Sequence, residues 1–128
     1  MFYVSKRMEI AGSHRLDLPY ESKCCNLHGH NWIITVTCRS PYLTKYGMVV
    51  DFKQIKNFVQ FKYDHKNIND IAPFNDINPT AENIAYNIWK DINKYLKTTN
   101  KDANCCKVQV QESEGNIACF EEDTNESC

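Results

Sequence analysis

The sequence predicts an α+β fold, an antiparallel sheet carrying two helices on one face in the order strand, strand, helix, helix, strand, strand. Three observations predict it. From His28 onward Trp32, Ile34, Val36 and Cys38 alternate with more polar neighbours, the period-two pattern of a half-buried strand. Ile84, Ala85, Ile88, Trp89, Ile92 and Leu96 fall on a single helical stripe. Near the C-terminus Cys106, Val108 and Val110 alternate with Lys107, Gln109 and Gln111, and Ile117 to Phe120 follows after Ser113-Glu114-Gly115-Asn116, which reads as a hairpin.

The 128 residues make one domain, 1–128, with the acidic stretch from Glu121 to Cys128 expected to fray as a tail. Net charge is −1 and both signs are mixed along the chain, so nothing suggests a nucleic-acid partner. The apolar opening is interrupted at once by Ser5-Lys6-Arg7, which excludes a signal peptide or membrane span and points to the cytoplasm. Seven cysteines are an odd number, and with no leader they are expected as reduced thiols, mostly small core hydrophobes.

In chain order, residues 2–11 mix β-branched, aromatic and polar side chains and predict the first strand, ending near Gly12-Ser13 with His14 just beyond. A loop containing Pro19 leads to the second strand, broken by Ser40-Pro41. Asp51 is an expected helix N-cap, and Phe52, Ile55, Phe58 and Val59 recur at helical spacing as core residues. The second helix is expected to start at Asn78-Pro79-Thr80-Ala81-Glu82, with Asn78 as N-cap and Pro79 at the first helical position. The outer strands stay open, and a second copy of the chain is one way to cover them.

The richest chemistry lies in Cys24-Cys25-Asn26-Leu27-His28-Gly29-His30. On a strand His28 and His30 project to one face, with Gly29 leaving room for a close approach. Zinc is commonly held by histidine, and a catalytic zinc takes three protein ligands and keeps one position open. Of the four histidines, His14 is the natural third ligand if the first strand pairs beside the second. Cys24 or Cys25 could instead close the site as a fourth ligand.

Two further features invite chemistry. Asp64-His65 follows the first helix; a carboxylate beside an imidazole can tune a general acid or base, and a histidine at a helix C-terminus can equally be a dipole partner. Glu112 shares the alternation of Val108 and Val110. Buried, its carboxylate would need a partner such as an amidine-like N–H pair on a ligand; if the strand bulges there, it faces water.

Taken together, Ser13-His14-Arg15-Leu16, the Cys24 to His30 stretch, Gly47-Met48-Val49-Val50-Asp51-Phe52, Asp64-His65, Asn78 to Glu82 and Val110-Gln111-Glu112 resemble the 6-pyruvoyl-tetrahydropterin synthase family over nearly the whole chain. The resemblance implies a tunnelling fold whose subunits join through their sheet edges into a homo-oligomeric barrel, often a hexamer built as a dimer of trimers. Cys24 so close before His-Gly-His resembles the queuosine-pathway branch, the 6-carboxy-5,6,7,8-tetrahydropterin synthases, which convert 7,8-dihydroneopterin triphosphate to 6-carboxy-tetrahydropterin, acetaldehyde and triphosphate. The 6-pyruvoyl synthases, which eliminate triphosphate without carbon–carbon cleavage, are the alternative, and a zinc- or pterin-binding module without turnover is another. On this resemblance His14, His28 and His30 hold zinc and Cys24 is the base. Asp64 and His65 of a neighbouring subunit assist proton transfer. Glu112 anchors the pterin, Thr80 lies near its pocket and Lys23 is a candidate for the triphosphate. Cys25 stands where that branch commonly has glycine, and Tyr63 where an aliphatic residue is usual.

Overall fold

Two long strands, β1 (Phe2–His14) and β2 (His28–Ser40), pair antiparallel over their whole length, from Phe2 opposite Ser40 to His14 opposite His28. The computed structural model describes residues 1–123, so residues 124–128, most of the expected tail, lie outside the described residues. The first strand therefore runs past Gly12 and includes His14, because β2 begins directly across from it. Gly12 is held by its neighbours: an added Cβ would stand 3.1 Å from Ile68 Cδ1 and 3.4 Å from the Trp32 indole nitrogen. Gly29, by contrast, is not required by crowding, since a Cβ there would meet only the Gly12 carbonyl oxygen at 3.9 Å.

After β2 come α1 (Phe52–Tyr63), the two-residue β3 (Lys66–Asn67), α2 (Ala81–Thr99), β4 (Asn104–Ser113) and β5 (Asn116–Glu121). The sheet order is β3-β1-β2-β4-β5. The expected antiparallel sheet is present and gains β3, which runs parallel to β1 at Gly12 and Ser13 and makes the sheet mixed. Gly115, at φ +85°, supplies the left-handed residue of the β4–β5 turn. Glu121 ends β5 and the Glu122 N–H donates to the Cys106 carbonyl, so the ordered sheet extends into the stretch expected to fray.

Both helices cover one sheet face, α2 packing on β4 and β5 and α1 on β1. Met8, Ile10, Trp32, Ile34, Val36, Val108 and Val110 point into that interface and meet Ile55, Val59, Ile84, Ile88, Ile92 and Leu96. Asp51 caps α1 as expected, accepting from the Lys53 N–H at 2.9 Å. The aromatics of α1 depart from expectation. Ile55, Val59 and Tyr63 form its buried line, while Phe52, Phe58 and Phe61 are exposed: the helix's inward axis follows the every-fourth positions, which leaves those phenylalanines on its flanks.

The cap of α2 is Thr80, whose hydroxyl accepts from the Asn83 N–H at 3.1 Å, and Asn78 is not the cap. The Asn78 carboxamide is engaged elsewhere, on the backbone of Asp17. On β4, Cys38 faces Cys105 and Thr37 faces Lys107, so a bulge takes up Cys106 and it is Cys105 that joins the core cluster with Val108 and Val110. Cys106 is disulfide-bonded, against the expectation of reduced thiols throughout, whereas Cys24, Cys25, Cys38, Cys105 and Cys119 are free. An odd count of cysteines carries no information about which thiols become neighbours in space. Among the described residues no helix is long and apolar enough to cross a membrane.

Candidate active site

The β1–β2 register puts His14 across from His28, and alternation puts His30 beside them on the helix-covered face. The three rings form a triangle with centroids 4.6, 4.9 and 5.1 Å apart, and one ligand nitrogen from each lies within 4.8 Å of the others. The floor is Trp32, the next residue on the same face of β2, fully buried with its ring edge-on to His14 and His30 at 4.8 and 5.2 Å. Its indole N–H donates to the Gly12 carbonyl at 3.1 Å, which satisfies the one polar atom this apolar floor carries.

The surrounding backbone sets the tautomers. His14 Nδ1 lies 2.7 Å from the Pro79 carbonyl oxygen and His28 Nδ1 lies 2.6 Å from that of Asn26. A carbonyl can only accept, so each Nδ1 carries a hydrogen and Nε2 is the nitrogen left to act as a ligand. The Nε2 atoms of His14 and His30 are buried with no hydrogen-bond partner. Burial, above all other influences, pushes both imidazoles below their ordinary pKa, with the neighbouring His28 acting in the same direction and Glu112 opposing it. His14 unites all that a metal cation requires of a ligand, a lowered pKa, an orphaned Nε2 and an Nδ1 fixed by a carbonyl; His28 supplies the fixed Nδ1, and His30 the orphaned nitrogen and lowered pKa. Neither cysteine joins this cluster among the described residues, so the histidines stand as a three-ligand, open set.

Cys24 and Cys25 lie in a short 3-10 turn (Lys23–Cys25) between the two strands, capped by Ser22, whose hydroxyl accepts from the Cys24 N–H at 3.1 Å. The Cys25 thiol donates weakly to the Tyr20 carbonyl at 3.9 Å, whereas the half-buried Cys24 thiol makes no hydrogen bond among the described residues. Lys23 opens the turn and is exposed.

Asp64 and His65 are pinned to β1 by a reciprocal pair of bonds. Asp64 Oδ1 accepts from the Ala11 N–H at 2.9 Å, and the His65 N–H donates to the Ala11 carbonyl at 2.7 Å. His65 adopts φ +57°, a left-handed conformation uncommon for a residue with a side chain. Its ring is 83% exposed, with Nε2 3.6 Å from Asp64 Oδ2. It borders a surface groove lined also by Ala11, Gly12, Ser13, Gly29, His30 and Asn31. Asp64 and His65 thus sit together, and the groove beside His65 reaches His30 of the triad along β2.

Glu112 bulges out of β4, the register with β5 shifting between Gln111 and Ser113. It faces neither plain solvent nor the apolar core: its carboxylate stands 3.5 Å from His30 Nε2. Thr80 follows Pro79, the residue whose carbonyl holds His14, and its hydroxyl is committed to capping α2.

A sequence model of 6-pyruvoyl tetrahydropterin synthase matches residues 3–123. The chain belongs to the 6-pyruvoyl tetrahydropterin synthase family. It is 29% identical over 116 residues to the 6-carboxy-5,6,7,8-tetrahydropterin synthase of Bacillus subtilis, covering 88% of this chain and 80% of that protein. It is 32% identical over 133 residues to the human 6-pyruvoyl tetrahydrobiopterin synthase, covering 91% and 89%. In fold it matches the Caenorhabditis elegans 6-pyruvoyl tetrahydropterin synthase with a TM-score of 0.72 at 24% identity, over 95% of this chain and 96% of the other. The tunnelling-fold assignment is thereby established, and the named synthases divide between two products.

The site also contains residues that the sequence reading did not single out. Trp32 carried a usable signal, since it continues the His28 and His30 alternation. Pro79 and Asn26 act through backbone carbonyls and left none.

Proposed function

We propose that the chain is a zinc-dependent 6-carboxy-5,6,7,8-tetrahydropterin synthase of queuosine biosynthesis, a cytoplasmic lyase acting on 7,8-dihydroneopterin triphosphate. The observation that carries the proposal is the open set of three clustered histidines with the unengaged Cys24 thiol four residues before His28. Zinc on His14, His28 and His30 would supply a Lewis acid that lowers the pKa of the substrate's side-chain hydroxyls. Cys24 removes a proton from the side-chain carbon. Glu112, beside His30, accepts the pterin's amino and ring N–H groups, which fixes the ring relative to the triad. Thr80 borders that pocket, and Lys23 reaches for the triphosphate.

Asp64 and His65 serve a neighbouring copy in this reading. The exposed His65 ring supports that. The edge of β1 before Ala11 and the outer edge of β5 have no strand partner among the described residues, which suits assembly through sheet edges into a hexameric barrel.

The human relative favours a second reading, elimination of triphosphate to a 6-pyruvoyl product. Zinc-loaded protein incubated with 7,8-dihydroneopterin triphosphate distinguishes them. Acetaldehyde with 6-carboxy-tetrahydropterin, lost in Cys24→Ala, is the expected outcome; a pyruvoyl product without acetaldehyde selects the second reading, and bound zinc with no turnover overturns both.

A further inference from the structure

The segment leaving β1 after His14 belongs to no regular element, yet its backbone is fully organised. Asn69 treats Arg15 as a strand would: its Oδ1 accepts from the Arg15 N–H at 2.8 Å and its Nδ2 donates to the Arg15 carbonyl at 3.0 Å. Asn78 does the same for Asp17, at 2.8 and 3.0 Å. In extended backbone alternate residues direct their polar groups to one edge, and the residue between them directs its own to the other. Leu16 follows that rule, its N–H donating to the Cys24 carbonyl at 2.8 Å.

One edge of residues 15–17 is therefore held by two asparagine carboxamides from distant segments, and the other edge holds Cys24. The anchor points are themselves braced. The Asn78 carbonyl accepts from Asn83 Nδ2 at 2.8 Å, at the start of α2, and the next residue, Pro79, holds His14. Asn69 belongs to the 3-10 turn Ile68–Asp70, which follows directly on β3.

We propose that Asn69 and Asn78 are positioning residues that set the Cys24 thiol relative to the histidine triad. The inference rests on the reading of Cys24 as the base. Neither asparagine touches the reacting groups. Each acts through the backbone of residues 15–17, and Leu16 passes that constraint to Cys24. A misplacement of about 1 Å in a reacting group can cost roughly a hundredfold in rate, so a loop with no regular structure of its own needs such a frame.

The test uses full-length Asn69→Ala and Asn78→Ala, with Asn69→Asp and Asn78→Asp keeping the acceptor for the backbone N–H while losing the donor. The pH profile of iodoacetamide alkylation at Cys24, resolved from Cys25 by tandem mass spectrometry, is measured beside bound zinc, melting temperature and steady-state kinetics. The expected result is a Cys24 alkylation rate changed by about threefold or more and kcat lowered by about tenfold or more, with KM little altered and the aspartates intermediate. Asn69→Ala, which leaves the Pro79 contact to His14 in place, keeps its zinc. Folded, zinc-loaded alanine variants whose Cys24 alkylation profile matches wild type overturn the proposal. The alkylation readout is independent of turnover, so it separates a failure of this inference from a failure of the proposed activity, which would show as wild-type kinetics in Cys24→Ala.

Discussion

His14 Nδ1 and the carbonyl oxygen of Pro79 are 2.7 Å apart, and this contact ties the histidine cluster to the entrance of α2. It fixes the tautomer of a residue that is only 1% exposed, so His14 is at once a cluster member and a core residue. His28 is a cluster member that is only partly buried.

That difference separates two variants. His14→Ala removes a ligand and also leaves the Pro79 carbonyl buried without its donor, at a cost of about 1–3 kcal/mol to the metal-free protein. His28→Ala costs clearly less stability, because its Asn26 partner is exposed to water. Both lose stoichiometric zinc. Zinc titration and denaturant melts of the chelated proteins measure the two effects, and equal destabilisation would contradict the placement of His14.

Acid should weaken the metal-free protein through the same residues. In the unfolded chain these imidazoles titrate near 6.5, whereas burial holds His14 and His30 below that value in the folded state. As pH falls the unfolded chain takes up protons first, so their contribution to stability is complete above about 6.5 and is lost as pH falls through the lowered folded values. Denaturant melts of chelated protein at pH 7.5 and 5.5 should show the loss, and it should shrink in His14→Phe. A stability that is flat or rises toward pH 5.5 would refute the assignment.

Much of this was legible in the sequence because it depended on period. Alternation placed His28 and His30 on one face and made His14 their partner once two strands were paired. The α2 stripe was readable because six positions agreed. What stayed hidden depended on contacts distant in sequence. Asn78 looks like a helix cap until Asp17 is found beside it, and Phe58 fits a helical repeat although the helix turns Ile55, Val59 and Tyr63 inward. The bulge that exchanges Cys106 for Cys105 cannot be seen in a pattern of apolar residues, since both are cysteine.

Tyr63, where the family resemblance leads to expect an aliphatic residue, is fully buried, and its hydroxyl donates to Asn87 Oδ1 at 2.8 Å. The same oxygen accepts from Lys62 Nζ at 2.8 Å, and Lys62 also pairs with Asp91 at 2.7 Å. Burial raises the phenol pKa well above its usual range, so Tyr63 remains a neutral donor. Tyr63→Phe keeps the ring and leaves Asn87 with Lys62, and should cost about 0.5–1.5 kcal/mol. Tyr63→Ala opens a cavity under α1 and should cost about 3–5 kcal/mol. Chemical denaturation ranks the two, and near-equal losses would show that the hydroxyl, and not the packing, carries the effect.

Glu112 offers the sharpest separation between binding a pterin and binding a metal. Its carboxylate lies 3.5 Å from His30 Nε2 but outside the three-histidine cluster. Glu112→Gln removes the charge and one acceptor while keeping the shape. A hydrogen bond to a charged group contributes about 1.5–3 kcal/mol, so substrate binding should weaken by about 10- to 100-fold. Zinc content should be unchanged at neutral pH. It should also survive to slightly lower pH, because the carboxylate raises the pKa of both His14 and His30 and its loss makes them harder to protonate. Kinetics, isothermal titration with a pterin and zinc analysis across pH 5–8 check all three. Loss of zinc at neutral pH would make Glu112 a fourth ligand, and unchanged pterin affinity would remove it from the binding site.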